Sequence, residues 1–255
     1  MRSSLFSHAR MLSAAAIIAA GAVCGPLALS AAAAPSVPTG NPFARLTADQ
    51  IAKKAETDLK AASSFHYHGS GKASGQTFSI SMSVTHKGCT GGLSAGAEGG
   101  FAIIDIGKTA WIQPNDKFWE VAGVPASLLS TVHGKWLDVT ATGSSISLSA
   151  AFAPFCNANK LVSTLAPKPT GLVKGKTTKI SGHRALQLRN SSGRESIYVS
   201  ISSKPEILRL SNNGTITFSA YGARVTLTPP PASDVITLPS ASPQAHSLQH
   251  LLRGI

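Results

Sequence analysis

From Gly182 to Thr228, short runs of alternating apolar and polar residues are separated by turn residues, a pattern that commits this part of the chain to antiparallel strands. In residues 184–189, Leu186 and Leu188 alternate with Ala185, Gln187 and Arg189, the two-residue period of a strand with one buried face. Residues 190–193, Asn-Ser-Ser-Gly, supply a turn, since Asn and Gly tolerate left-handed backbone and Ser bonds locally. The return run puts Ile197, Val199 and Ile201 on one face and Tyr198 and Ser200 on the other. Residues 207–210, 215–219 and 225–228 continue the alternation, with Asn213-Gly214 and Tyr221-Gly222 between them. Asn-Gly between alternating runs is the strongest short-range hairpin signal. Connections this short leave no room for crossover helices, so the expectation is a meander.

The first half reads in the same terms. Phe78, Ile80, Met82 and Val84 face one way and three serines the other; residues 65–68 open an earlier strand, and residues 101–106 and 109–113 form a hairpin around Gly107-Lys108. Thr47-Ala-Asp-Gln50 is a capping box, and Leu46 with Ile51 makes a hydrophobic staple, so a helix is expected with Ile51, Ala55, Leu59 and Ala62 as its buried stripe. A short turn or helix is expected at Phe118-Trp119, a helix from Pro125 to Val132, and one or two more between Ile146 and Leu165; residues 136–139 are extended. Helices inserted between strand sets can cover one face of a sheet, an α+β arrangement.

Gly182-His-Arg-Ala-Leu-Gln-Leu188, then Gly193 through Ile197-Tyr-Val-Ser200, then Lys204-Pro-Glu-Ile-Leu-Arg-Leu210 resembles the closing half of actinobacterial envelope lipoproteins of the LppX and LprG kind. Weaker echoes at Trp111-Ile-Gln-Pro114, Phe118-Trp119 and Gly134-Lys-Trp136 extend the likeness over roughly residues 47 to 238. The resemblance implies a fold similar to the LolA and LolB lipoprotein carriers: a curved antiparallel half-barrel around a few helices, enclosing an apolar cavity for acyl chains. It carries no ligand-residue motif, so the cavity lining is read from alternation. Strand positions are Phe78, Ile80, Met82, Val84, Trp111, Leu186, Leu188, Ile197 and Val199, and Trp119, Leu128 and Leu129 come from the helices. Alternation alone fits a filled core as well, and the resemblance turns the reading towards a cavity.

Residues 1–34 read as a secretory signal: Arg2, His8 and Arg10 precede an acid-free apolar run that ends in Ser30 and four alanines. The alternative is a lipoprotein signal with Cys24 acylated; Val23 argues against it, because the lipoprotein peptidase requires a small residue there. Residues 35–45, with Pro35, Pro38, Gly40 and Pro42, read as a linker; residues 46–238 form the domain and residues 239–255 a flexible tail. An exported chain has an oxidising environment, and Cys89 and Cys156 are the pair left inside the domain, so a disulfide is expected, with two buried thiols as the alternative.

Charge is uneven: residues 160–255 hold 12 basic and 3 acidic residues, whereas residues 35–159 hold 9 and 8. Export sets nucleic acid aside and points the positive field, including Lys174, Lys176, Lys179 and Arg184, at anionic membrane surfaces, wall polymer or phosphorylated glycolipid. The charge balance serves solubility equally well. Gly92-Leu-Ser-Ala-Gly96 matches the nucleophile-elbow pattern, with Asp105 and His133 or Asp138 and His183 following in order. That chemistry needs a parallel strand before the serine and a helix after it, and the motif reads as loop. His66 and His68 share one side of a strand with no third ligand at useful spacing, and no paired carboxylates or phosphate loop follow. The expectation is a monomeric, non-enzymatic envelope protein without cofactor or metal that binds, and carries, a lipid or lipid-anchored glycan. The alternative is an interaction module with a solid core whose basic face docks on wall polymer or a protein.

Overall fold

The computed structural model describes residues 41–73, 75–140, 154–166, 168, 170–212 and 214–237, all within the compact unit Gly40–Ile255. The signal segment with Cys24, the first part of the linker, residues 146–153 and the tail lie outside the described residues. Twelve strands form one sheet: β1 Ser64–Ala73, β2 Gln76–Thr85, β3 Gly88–Ser94, β4 Gly100–Ile106, β5 Thr109–Pro114, β6 Trp136–Asp138, β7 Val173–Ile180, β8 His183–Arg189, β9 Ser196–Ser200, β10 Ile207–Asn212, β11 Gly214–Ser219 and β12 Val235–Ile236. Their order is β12-β6-β5-β4-β3-β2-β1-β11-β10-β9-β8-β7. Every ladder is antiparallel except β12 on β6. Each half of the chain is a meander, and the halves meet where β11 pairs with β1, His66 opposite Ser219 through Gly71 opposite Gly214.

Helix α1, Ala48–Ala61, starts at Thr47 with both bonds of the capping box in place: Gln50 N–H donates to Thr47 Oγ1 and Thr47 N–H donates to Gln50 Oε1 at 2.8 Å. Its buried residues Ile51, Ala52, Ala55 and Leu59 belong to the core built on one face of the sheet, called here the inner face. Asp49, in the first turn, accepts from the N–H groups of Gly171 and Leu172, which fixes the entry to β7. Short helices α2, Asp116–Val121, and α3, Ala126–Val132, follow β5; α4, Ala158–Leu165, precedes β7. Cys89 on β3 and Cys156, just ahead of α4, are joined by a disulfide.

Three sequence expectations need correction, and one strand forms where none was expected. Residues 225–228 form no strand, because both edges of β11 are already occupied, by β10 and β1, leaving no edge to pair with. Residues 92–94 of the motif read as loop belong to strand β3. Its glycines sit where neighbours crowd, and a Cβ at Gly91 would lie 2.7 Å from Met82 Sδ. Residues 173–180 form edge strand β7, which lacks an apolar alternation because it is exposed along most of its length. Its lysines suit an edge that must not recruit another strand. Phe43, assigned to the linker, is 2% exposed and part of the core, and Lys174 Nζ donates to its carbonyl at 2.8 Å.

Candidate functional site

Across six strands of the inner face, Ile112, Ile103, Gly91, Met82, Tyr67 and Phe218 stand directly opposite one another. The five side chains are buried, and Met82 fills the space left by Gly91. Eight of the positions expected to line a cavity, Ile80, Met82, Val84, Trp119, Leu186, Leu188, Ile197 and Val199, are buried in the same continuous core, and Leu129 packs half-buried against it.

The remaining three differ from expectation. Phe78 keeps the inner parity but lies towards the β1–β2 hairpin, opposite Gly71, half-buried and outside the core. Trp111 lies on the outer face, because Ala110, Ile112 and Pro114 are the buried residues of β5 and a two-residue period places Trp111 with Thr109 and Gln113. Leu128 is 50% exposed; α3 turns Leu129 and Val132 to the core instead. Packing this tight makes Met82→Trp an overpacking change. It is expected to cost about 1 to 3 kcal/mol, read as a lower denaturant midpoint at unchanged slope, and a melting temperature equal to wild type would show spare volume at Met82.

The cover over this part of the core is slight. Helix α3 has no buried residue, α2 buries Phe118 and Trp119, and Val121 at 40% and Leu128 at 50% exposure leave an apolar outer surface on the pair. Beneath it, the Trp119 indole N–H is buried and has no hydrogen-bond partner among the described residues, although the side chain is only 1% exposed. A buried donor left unpaired costs about 1 to 3 kcal/mol, which a bound acceptor would recover. Nothing in the sequence marks this, since a missing partner is a property of the assembled fold.

Among the described residues, open hollows border the sheet. One of about 620 Å³ is lined mainly from the outer face, with Gly92 and Ala102 among small residues beside His68, Ser70, Ser79 and Ser81; Ile80 is its one residue from the expected cavity set. A second, of about 440 Å³, adjoins Ser94, Gln113, Asp116 and His133. A third, of about 280 Å³, lies by Cys156, Val84, Asp105 and Lys87.

The nucleophile-elbow pattern has none of its required surroundings. Ser94 ends an antiparallel strand, a three-residue 3-10 helix follows, and His133 pairs with Asp116 at 2.8 Å instead of Asp105, with no hydrogen bond joining Ser94 to His133. Asp105 is half-buried, which raises its carboxyl above the ordinary range. His66 contacts Ser83 Oγ at 3.1 Å, and burial together with the neighbouring His68 lowers its pKa. Among the described residues, no group of three or more His, Cys, Asp or Glu side chains is placed to hold a metal ion. None of the described helices is long and apolar enough to cross a membrane.

No protein-family profile matches the chain, and no curated protein matches it in sequence. Among solved structures it is similar to LprF from Mycobacterium bovis, at 14% identity and a TM-score of 0.48 over 72% of this chain and 96% of that one. It is also similar to the lipoprotein LppX from Mycobacterium tuberculosis, at 14% identity and a TM-score of 0.45 over 71% of this chain and 97% of that one. LppX is one of the two proteins whose kind residues 182–210 resemble.

Proposed function

We propose that the protein is an exported, monomeric, non-enzymatic component of the cell envelope that binds a lipid or lipid-anchored glycan through its acyl chains. The chains enter between the inner face of the sheet, curved around its helices as a half-barrel, and the α2–α3 cover. The observation that carries this reading is the unpaired indole N–H of Trp119 beneath a cover with an apolar outside. An ester or amide carbonyl of a lipid would accept that proton, while α3, with no buried side chain of its own, is the element that can yield to the chains. Lys176, Lys179 and Arg184, exposed on the β7–β8 hairpin, suit an anionic headgroup or membrane surface nearby.

The test is organic extraction of the protein purified from the organism that encodes it, followed by mass spectrometry. Stoichiometric lipid is expected from the wild type, and Trp119→Phe should recover markedly less while still folding. No lipid in the wild type overturns the reading, and salt-sensitive binding to wall preparations would then identify an interaction module with the solid core that the eight packed positions describe.

A further inference from the structure

The side of the sheet turned away from the helices has a second buried donor without a partner, on a cation. Arg209 stands on β10 opposite Tyr198 on one neighbour and Thr217 on the other, so its side chain belongs to the outer face. Its Nε is buried without a partner, and its guanidinium makes no ion pair or hydrogen bond with any described side chain. Arginine is otherwise the residue most readily satisfied by a carboxylate, because its planar fork matches two oxygens at once.

No carboxylate is within the surrounding strands. β1, β2, β3 and the five strands β7 to β11 contain no Asp or Glu, while their outer face carries Lys72, Lys176, Arg189 and Arg209 with His66, His68 and His183. Neutral donors adjoin the arginine. Tyr198 Oη accepts from Gln187 Nε2 at 3.2 Å, which leaves the phenolic proton free to donate, and Thr217 lies on the opposite side. Across the next ladder, Thr217 faces His68. A two-pronged cation flanked by hydroxyl groups on strands without acidic residues is complementary to a compact oxyanion with several acceptor oxygens.

We propose that the outer face of the sheet at Arg209 is a phosphate-binding site, with the guanidinium as its centre and Tyr198 and Thr217 as flanking donors. It does not rest on the interior lipid reading: the two sites lie on opposite faces, and either can stand without the other. Free phosphate and the phosphate headgroup of a phospholipid present the same chemistry of recognition.

The experiment titrates the exported protein with inorganic phosphate by NMR and measures its sedimentation with phosphatidylcholine vesicles with and without phosphatidic acid. Saturable phosphate binding is expected, with Arg209→Gln weakening it about tenfold or more, and Arg209→Lys, which keeps the charge and loses the fork, giving a smaller loss. Lys108→Gln removes the same charge from the turn between β4 and β5 and should change affinity less than about twofold. Arg209-dependent vesicle binding identifies the headgroup as the source, and phosphate binding alone identifies free phosphate. Absence of saturable phosphate binding, or equal losses in Arg209→Gln and Lys108→Gln with folded spectra, overturns the site and leaves only diffuse attraction by net charge.

Discussion

Replacing both Cys89 and Cys156 with alanine is expected to lower stability by about 4 kcal/mol, the loop-closure entropy of a cross-link spanning 67 residues. Cys89 is fully buried on the sheet, and Cys156 is buried in the segment that leads into α4, so the bond ties that segment to the sheet. Equilibrium unfolding with and without reductant measures the effect, and intact-mass analysis of the unreduced protein counts the thiols. Coincident unfolding curves, or two alkylatable thiols in the exported protein, would sink the prediction. A net stability of roughly 5 to 15 kcal/mol is normal for a domain, so the reduced protein should be near the edge of folding at growth temperature.

The second large effect is Tyr67→Ala, expected to cost about 3 to 5 kcal/mol as a buried aromatic truncation. Tyr67 is completely buried in the middle of the inner face, its ring centroid 6.3 Å from Phe65 and 5.8 Å from Phe218. Its hydroxyl donates to the Phe155 carbonyl at 2.9 Å, one residue from the disulfide. Burial holds the phenol far above its ordinary pKa, so the group stays a donor throughout the physiological range. Tyr67→Phe isolates that bond: it keeps the ring and leaves the carbonyl without its donor, at about 1 to 3 kcal/mol. Denaturant titration of both variants checks the ordering, and a Tyr67→Ala loss below about 1 kcal/mol would mean the aromatic row is not packed as described.

Much of the fold was legible because its signals are local. The capping box at Thr47 and Gln50, the alternation of residues 78–84 and the turns at Gly107 and Gly214 each depend on a few adjacent residues, and each element formed where these signals place it. What escaped depends on partners distant in sequence. An exposed edge strand such as β7 has no buried face to write an alternation, and residues 225–228 have the alternation but no free edge to join. Phe43 was visible in one respect, as a lone aromatic just before the staple residue Leu46, but proline and glycine around it outweighed that cue.

The candidate sites divide in the same way. Inward strand positions such as Met82, Leu188 and Val199 follow from parity, whereas Trp111 has the opposite parity to the buried Ala110, Ile112 and Pro114 of its strand. Trp119 was singled out for its apolar bulk, yet what distinguishes it is a donor with no acceptor; Arg209 was seen only as one basic residue among many. A sequence shows which groups are present and not which of them are left without a partner.

The seam between β1 and β11 has a consequence for the order in which the chain assembles. Strands β1 to β5 pair with sequence neighbours, as do β7 to β11, so each meander can form from contacts close along the chain. Joining them requires His66 to find Ser219. That is the search over the longest stretch of chain among the antiparallel ladders, and its closure entropy must be met before the contacts it brings are gained. A chain that emerges from its N-terminus therefore shows the unpaired edge of β1 until the last major strand arrives. Acquisition of the native state waits on the C-terminal half, and for that interval β1 is the edge most open to pairing with the wrong partner.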